Sequence, residues 1–489
     1  MQKGILIILD GYGEGKPGEF NAVDNANTPT LKALKKQSYS LLKTHGDAVG
    51  IFESEMGGSE VGHMTIGAGR IIPSTVKKIK MDMDNNEFEK NDVLNKMLRN
   101  IEKNNSNLHI CGLMSDKNVH SNIEHCFKII DLAKNKANQI YIHFITDGRD
   151  CGPHDSLIYL KQMEKYIKNI KNCSILSVSG RAISMDRENN MDYTNKAFNA
   201  MFSHYNEISD IERYIKDQHA KGNNDQYVES ASVKSSTYNG VNKKDVVFFF
   251  NFREDRMRQI VKKCEELKCE VVTMSDVGGT NTKVLYPNKI IKNTLSEFFS
   301  KNGLKHVKIS ETTKYAHVTY FMNGGREEPF ENEDRVHVPT VKIDDYAKTP
   351  KMRAKEIANQ TVLAIKKGYD AIIVNFSNPD MIGHTGDYNA TLKALEAVDK
   401  GVKKVLKSAK KNNYFVMITS DHGNAEEMLD SKGQPHMAHT INPVFCVVAN
   451  SGLKMKKEGG LKDVAPTFVE LMGLKQNKHF EGESLIVRD

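Results

Sequence analysis

Short apolar runs alternate with amphipathic helical patterns along the whole chain, and this alternation constrains the fold more than any other feature. Strands are predicted at residues 4–9, 108–114, 139–146, 174–179, 245–250, 270–274, 371–376, 414–419 and 443–448. Helices are predicted at residues 28–36, 122–134, 155–168, 255–267, 351–367 and 390–407. Such alternation is typical of an α/β protein with mainly parallel sheets. The acidic, aperiodic segment 326–349 is expected to be a long surface excursion.

Charge and composition exclude several classes of protein. The 489 residues contain 69 Lys and Arg against 62 Asp and Glu, a net charge of +7, which is mild for this length. With no RNA-binding motif or zinc finger, we expect no nucleic-acid partner. No apolar run approaches the ~20 residues that a membrane span needs, and the seven cysteines lack zinc-site spacing. We therefore expect a cytoplasmic enzyme, with no membrane partner, that acts on a small anionic substrate.

Polar clusters follow several predicted strands at the point where each strand ends. Asp10 ends the first strand, residues 147–150 and Arg181 follow two others, and residues 251–253 and 421–423 follow two more. Ligands of open α/β sheets bind outside the carboxyl ends of the strands. We therefore expect the chemistry of this protein at these positions.

Carboxylates and imidazoles in four segments form a candidate metal site. They are Asp10, Asp380, His384, Asp421, His422 and His439. Taken singly, each has an ordinary explanation as a helix cap, a turn or a surface histidine. Together they make a ligand set without thiolate, which suits Mn²⁺ or Zn²⁺ and is too large for one tetrahedral ion. Two metal ions are a common device for phosphoryl transfer.

Ser59 is the candidate nucleophile. It follows Gly57 and Gly58 and precedes a helix-compatible run, so it is expected at a helix N-terminus, where anions are favoured. The alternative is a plain N-cap serine. No Gly-x-Ser-x-Gly motif surrounds it, which argues against a Ser-His-Asp hydrolase. A metal ion on its Oγ would lower the hydroxyl pKa, and these features together indicate a phosphoserine mechanism.

Six motifs occur in an order that resembles a known family. They are Asp10-Gly-Tyr-Gly13, the block 56–63 around Ser59, residues 146–150, residues 251–256, residues 314–319 and Asp421-His-Gly-Asn424. The chain closely resembles the cofactor-independent (2,3-bisphosphoglycerate-independent) phosphoglycerate mutases of the alkaline phosphatase superfamily. The resemblance covers essentially the whole chain. Asp421-His422-Gly423 is shared across that superfamily, whereas the serine block, residues 251–256 and residues 314–319 are more specific.

The resemblance implies an α/β protein of two domains. An alkaline-phosphatase-like metal domain would comprise residues 1–75 and 290–489. An α/β transferase domain, which binds substrate, would be inserted at residues 76–289, with hinges near residues 73–76 and 287–293. The resemblance also implies a monomer.

Site residues follow from the same resemblance. Asp380, His384 and His439 would bind one Mn²⁺, and Asp10, Ser59, Asp421 and His422 would bind the other. The residues expected to bind substrate are His120, Arg149, Asp150, Arg181, Arg187, Arg253, Arg256 and Lys314. By residue type alone, Arg187 also fits a helix surface and His120 a loop.

Some positions depart from the family pattern. Lys117-Asn118 stands where a glycine pair is usual, and Asn122 replaces a second histidine. Tyr12 replaces a tryptophan, and Gly58 replaces an asparagine, which should loosen the turn before Ser59.

The implied reaction interconverts 3-phosphoglycerate and 2-phosphoglycerate in glycolysis and gluconeogenesis, without bisphosphoglycerate. Ser59 would take the phosphoryl group, and the arginines would hold glycerate while it reorients, with Asp150 as acid or base. One alternative is another enzyme of the superfamily, such as a phosphopentomutase or a phosphatase. The other is a metal-dependent anion-binding protein without catalysis.

Overall fold

Strands and helices alternate through most of the chain, which a computed structural model describes for residues 1–430 and 432–488. The strands are β1 (Lys3–Leu9), β2 (Tyr39–Lys43), β3 (Leu108–Leu113), β4 (Ile140–Thr146), β5 (Cys173–Gly180), β6 (Ala231–Ser232), β7 (Val246–Phe249), β8 (Glu270–Ser275), β9 (Lys283–Tyr286), β10 (His306–Glu311), β11 (Glu333–Val338), β12 (Ala371–Phe376), β13 (Tyr414–Thr419), β14 (Val444–Val448) and β15 (Glu458–Gly460). The helices are α1 (Ala22–Asn25), α2 (Pro29–Leu34), α3 (Ser59–Ala68), α4 (Thr75–Asp84), α5 (Asp92–Asn104), α6 (Ile123–Ala133), α7 (Ser156–Ile167), α8 (Arg181–Ser184), α9 (Met191–Phe202), α10 (Ile211–Ala220), α11 (Arg258–Cys264), α12 (Leu295–Lys301), α13 (Thr312–Ala316), α14 (Ala354–Lys367), α15 (Asn378–Gly383), α16 (Tyr388–Lys411) and α17 (Val464–Leu471).

The predicted α/β class is confirmed, and each predicted strand overlaps an observed one. The expectation for segment 326–349 is correct in that most of its residues lie at the surface, but wrong for residues 333–338, which form β11 and pair in parallel with β10. β11 lies at one end of its sheet and carries charged residues along its length. A charged strand of this kind is typical of a sheet edge and lacks the apolar pattern by which buried strands are recognised.

Contacts divide the chain into two units. The split unit comprises Met1–Lys77 and the chain from Lys289 onward, and the inserted unit comprises Lys78–Asn288. The sheet of the split unit has strand order β11-β10-β12-β1-β13-β14-β2-β15. β1 pairs in parallel with β12 on one side and with β13 on the other. The loops after these three strands therefore leave the sheet at the same edge.

β1 lies in the interior of the sheet of the split unit, and its burial is consistent with this position. Its residues from Gly4 to Leu9 are all buried, as expected for a parallel strand covered on both faces. The long helix α16 packs against α14 and buries one apolar stripe that includes Leu395, Val398 and Val402. This rigid layer supports the loops that follow β1, β12 and β13.

The inserted unit has a sheet of its own, with strand order β6-β5-β4-β3-β7-β8-β9. β3, β4, β5 and β7 run in parallel, and each contributes buried apolar residues to the core of the unit. Asp147 follows β4, Arg181 follows β5, and Asn251 lies shortly after β7. Among the residues described, no helix is both long and apolar enough to cross a membrane.

Candidate active site

The first group of candidate ligands consists of Asp380 and His384, which follow β12, and His439, which lies between β13 and β14. α15 carries Asp380, and His384 comes directly after this helix ends. Asp380 Oδ1 lies 3.1 Å from His384 Nε2 and 3.2 Å from His439 Nε2. The two Nε2 atoms are 3.1 Å apart. Three potential ligand atoms thus converge at one point.

Hydrogen bonds at the other ring nitrogens indicate which atoms are free to bind a metal ion. His384 Nδ1 contacts the carbonyl of Met437 at 2.7 Å, and His439 Nδ1 contacts that of Gly57 at 2.9 Å. A carbonyl only accepts hydrogen bonds, so each Nδ1 carries a proton and each Nε2 faces Asp380. The two Nε2 atoms and Asp380 Oδ1 are then all hydrogen-bond acceptors, so a proton or a cation must lie between them. The hydrogen bond to Asp380 accordingly raises the pKa of His384, and the group fits a divalent ion.

The second group is buried and consists of Asp10, Ser59, Asp421 and His422. Asp10 follows β1, Asp421 and His422 lie after β13, and Ser59 is the first residue of α3. Ser59 Oγ lies 2.9 Å from His422 Nε2 and 3.2 Å from Asp10 Oδ1. His422 Nε2 lies 3.4 Å from Asp10 Oδ1 and 3.5 Å from Asp421 Oδ2. The donor set again combines carboxylate and imidazole, with a hydroxyl added.

Electrostatics indicate that this second group also requires positive charge. Burial opposes the charged form of His422, yet Asp421 and Asp10 outweigh it and raise the pKa of His422 to about 9. Its Nδ1 faces the carbonyl of Gly423 at 3.2 Å, so the additional proton resides on Nε2. A metal ion bound there would replace this proton. The residues therefore fit a second divalent ion.

Lys314, at α13, contacts both groups. Its Nζ lies 2.5 Å from Ser59 Oγ, 2.7 Å from Asp10 Oδ1 and 2.6 Å from Asp380 Oδ2. Burial opposes its charge, but the carboxylates of Asp10 and Asp380 outweigh burial and raise the pKa of Lys314. Burial also opposes the ionised carboxylates, whereas Lys314 holds the pKa of Asp10 and of Asp380 well below the usual range. Both candidate ligands are therefore ionised carboxylates at neutral pH.

Two residues behind the second group link its carboxylates, and sequence reasoning gave them no role. Asn375 Nδ2 donates to Asp10 Oδ2 at 2.7 Å and lies 3.1 Å from His63 Nε2. His63 Nδ1 in turn lies 3.0 Å from Asp421 Oδ2. The sequence signal for Asn375 is a single polar residue within the apolar strand β12.

A cavity of about 700 Å³ opens onto these groups within the split unit. Ser59, Lys314, His384, His439 and His317 are among its lining residues. His317 begins a short π-helix directly after α13, and such distortions are frequent at functional sites. Burial lowers the pKa of His317 to about 4, so its imidazole is neutral. His317 belongs to the motif of residues 314–319, but the sequence alone indicated no role for it.

In the inserted unit, Arg181 lies buried between two carboxylates. Its Nη1 donates to Asp147 Oδ1, and to Asp150 Oδ2 at 2.7 Å. Asp147 and Asp150 belong to the loop after β4, and Arg181 begins α8 directly after β5. The ion pairs orient Arg181 at the carboxyl ends of these strands.

Asp255, which sequence reasoning did not select, lies among the basic candidates of the inserted unit. It is 3.1 Å from Arg187 Nη1 and 3.1 Å from Arg253 Nε, and Asp255 Oδ1 is 3.9 Å from His120 Nδ1. Burial opposes its charge, but Arg253 and the neighbouring basic groups outweigh burial and lower the pKa of Asp255. The only sequence signal was its position between two arginines of residues 251–256.

Arg256 and Arg149 add to this basic group. Burial and the charges of Arg187, Arg181 and Arg149 lower the pKa of Arg256, which indicates a positive local potential. Burial, together with Arg181, also lowers the pKa of His120 to about 4, so the imidazole is neutral. The group is suited to bind an anion.

The departures from the family pattern have local explanations. The side chain of Asn122 caps α6 by accepting the backbone N–H of Glu124 at 2.9 Å. Tyr12 is buried and its ring centre lies 5.3 Å from that of Phe445. Gly58 has extended backbone dihedrals, so the turn before Ser59 does not depend on a left-handed conformation.

Known proteins resemble this chain over its whole length. The sequence model of the Metalloenzyme superfamily matches residues 2–476. The 2,3-bisphosphoglycerate-independent phosphoglycerate mutase of Ehrlichia ruminantium is 40% identical, over 99% of this chain and 98% of the relative. That of Clostridium kluyveri is also 40% identical, over 99% of both chains. A crystal structure of Leishmania mexicana phosphoglycerate mutase at low cobalt concentration is 28% identical, with a TM-score of 0.65 over 100% of this chain and 98% of that one. The chain belongs to the family of 2,3-bisphosphoglycerate-independent phosphoglycerate mutases, within the Metalloenzyme superfamily.

Proposed function

We propose that the chain interconverts 3-phosphoglycerate and 2-phosphoglycerate, in glycolysis and gluconeogenesis, through a phosphoserine on Ser59. The observation that carries this proposal is the surroundings of Ser59 Oγ. Lys314 Nζ, His422 Nε2 and Asp10 Oδ1 all lie within 3.2 Å of it, at the start of α3. A hydroxyl in contact with a lysine and candidate metal ligands is suited to nucleophilic attack on phosphorus.

We propose two Mn²⁺ ions per chain as the cofactors. Asp380, His384 and His439 would hold one ion, and Asp10, Ser59, Asp421 and His422 would hold the other. Two observations support this proposal: ligand atoms of each trio of acidic and histidine side chains lie within 4.8 Å of one another, and neither trio contains a cysteine. When bound, the ions would lower the pKa of the Ser59 hydroxyl and neutralise charge on the phosphoryl oxygens.

The reaction would proceed as two transfers at phosphorus. Ser59 Oγ attacks the phosphorus of 3-phosphoglycerate, the bond between phosphorus and the C3 oxygen breaks, and glycerate remains bound. The C2 hydroxyl of glycerate then attacks the phosphoserine, and Ser59 Oγ leaves. Lys314, whose ammonium contacts Ser59 Oγ, would stabilise the charge on the transferring phosphoryl group.

We propose that the inserted unit binds the carboxylate and hydroxyl groups of the substrate. The residues would be His120, Arg149, Asp150, Arg181, Arg187, Arg253 and Arg256. Their positive potential supports this role, since the substrate carries carboxylate and phosphate charges. Asp150 would exchange protons with the substrate hydroxyls. Residues 1–75 and 290–489 would form the phosphatase-like domain, and residues 76–289 the transferase domain, in a cytoplasmic monomer.

A mutase assay with one variant and one control tests this function. Purified protein should convert 3-phosphoglycerate with Mn²⁺ and without bisphosphoglycerate. Ser59→Ala should lose more than about a thousandfold in kcat, because the nucleophile is removed. Ser408→Ala, in α16 of the same unit, is the matched control and should keep full activity.

The alternatives give different results in the same assay. Dependence on bisphosphoglycerate would refute the proposed reaction. Phosphate release as fast as isomerisation would favour a phosphatase, and activity on pentose phosphates alone would favour a phosphopentomutase. Metal-dependent binding of 3-phosphoglycerate without any conversion would favour the anion-binding alternative.

A further inference from the structure

Glu426 is a buried carboxylate that contacts three loop segments of the split unit. Its Oε2 accepts the backbone N–H of Gly13 at 3.1 Å and that of Asn424 at 2.8 Å. Its Oε1 accepts Thr440 Oγ1, and Asn442 Nδ2 at 3.1 Å. One side chain thus joins the loop after β1, the loop after β13 and the segment before β14.

These three segments carry ligands of both candidate metal groups. Asp10 lies three residues before the first contact, His422 lies two residues before the second, and His439 immediately precedes the third. Asn424 also donates from Nδ2 to Asp380 Oδ1 at 3.2 Å. The hydrogen bonds of Glu426 therefore fix loops that carry residues of both candidate metal groups.

The loops approach Glu426 so closely that two glycines are required beside it. A Cβ atom at Gly13 would lie 2.2 Å from Glu426 Cδ, and one at Gly423 would lie 2.3 Å from its Oε1. Such distances are far below van der Waals contact, so any side chain there would displace the Glu426 carboxylate from its hydrogen bonds. The close fit indicates that the loop positions depend on this one carboxylate.

Glu426 is suited to positioning the ligands rather than to binding the metal. Each of its oxygens already accepts two hydrogen bonds, which uses the two lone pairs of each atom. We propose that Glu426 is a positioning residue that sets the loops carrying Asp10, His422 and His439, and thereby the affinity of both metal sites. This inference rests on the two-metal site of the proposed function.

Metal titration of Glu426 variants, without substrate, tests the proposal. Calorimetry with Mn²⁺ should show two ions bound to the wild-type protein. Glu426→Ala should weaken both binding events by about 10–100-fold, the usual effect of losing a group that orients ligands. Glu426→Gln should be intermediate, because its oxygen can still accept the two backbone N–H groups. His439→Ala, which removes a ligand, should weaken one event more than the other.

A buried carboxylate elsewhere in the split unit provides the matched control. Asp463 accepts the N–H groups of Gly460 and Glu483 at 2.8 and 2.9 Å. Asp463→Ala should lower stability and leave both Mn²⁺ affinities within about twofold of wild type. The absorption spectrum of bound Co²⁺ should change in Glu426→Ala and Glu426→Gln but not in Asp463→Ala.

The outcomes separate this inference from the proposed function. If wild-type protein does not bind two ions, the two-metal proposal fails. If it binds two and Glu426→Ala binds both as tightly, with an unchanged Co²⁺ spectrum, the positioning role is refuted. Should Glu426→Ala not fold, Glu426→Gln decides in the same way.

Discussion

The charge of Lys314 has two opposed consequences for the site. Its ammonium contacts Ser59 and the carboxylates of Asp10 and Asp380, so it neutralises negative charge that would otherwise attract a metal ion. Its raised pKa keeps it charged at any pH near neutrality. The same charge should therefore assist phosphoryl transfer and oppose metal binding.

Lys314→Met separates these two consequences. We expect Mn²⁺ to bind at least about tenfold more tightly, because a nearby positive charge is removed, while kcat falls at least about a hundredfold. Calorimetry and mutase kinetics measure the two quantities, and Lys314→Arg, which keeps the charge, is the control. A parallel loss of metal affinity and activity would show instead that Lys314 supports the ligands.

Functional residues could be predicted from the sequence where a polar or charged residue follows an apolar strand. Asp and His after apolar strands allowed the ligand candidates to be named, and the structure brings them into two groups. Asn375, Glu426 and Asp255 were not named. Asn375 and Asp255 had a weak sequence signal in their immediate neighbours. The contacts of all three residues, however, join segments that are distant in sequence or depend on side-chain directions within a loop, and a single sequence does not show these contacts.

At the scale of elements, the apolar content of each strand decided which strands could be predicted from the sequence. The nine predicted strands are all observed, because each contains a short apolar run, whether it pairs in parallel like β1 or antiparallel like β14. The strands β2, β6, β9, β10, β11 and β15 were not predicted. β6 and β15 have only two and three residues, and the other four combine their apolar residues with charged or polar ones. Helix ends differ by a few residues; for example, α11 stops at Cys264 and a short 3₁₀ turn follows it.

The β3–β4–β5 layer of the inserted unit should make its stability sensitive to acid. His109 Nδ1 lies 3.0 Å from His143 Nε2, and His143 Nδ1 lies 2.9 Å from Ser177 Oγ, all within the sheet core. Burial lowers the pKa of His109 to about 3 and that of His143 well below its usual value. In the unfolded chain each would protonate near pH 6.5.

Stability should therefore fall as pH drops below about 6.5, since the unfolded state then binds protons that the folded state does not. Each such histidine contributes a slope of about 1.4 kcal/mol per pH unit. Urea unfolding between pH 7.5 and 5 measures this slope. His109→Phe should reduce the slope by about 1.4 kcal/mol per pH unit, because one proton fewer binds on unfolding, whatever the effect of the substitution at neutral pH. His204→Phe, at an exposed position, should leave the slope unchanged. Equal slopes in wild type and His109→Phe would contradict the prediction.

At the scale of the whole molecule, the insertion was the feature that residue patterns concealed. No change of pattern in the sequence marks the boundaries at residues 77–78 and 288–289, because strands and helices alternate in both units. The split unit exists because β1 pairs with β12 and β13, more than 360 residues away. Only the family resemblance supplied an inserted domain in advance, because it carries information on long-range pairing.

This division predicts that metal ions stabilise one unit selectively. Both candidate metal groups belong to the split unit, at the ends of β1, β12 and β13. Mn²⁺ at about 100 times its dissociation constant should add about 2.7 kcal/mol per site to the stability of that unit. Hydrogen exchange followed by peptide mass spectrometry should show slower exchange in β1, β12 and β13, and unchanged exchange in β3 and β4. Chelation should reverse the effect, and Asp421→Ala should reduce it. Equal protection of both units, or protection confined to residues 78–288, would contradict the assignment of the metal sites.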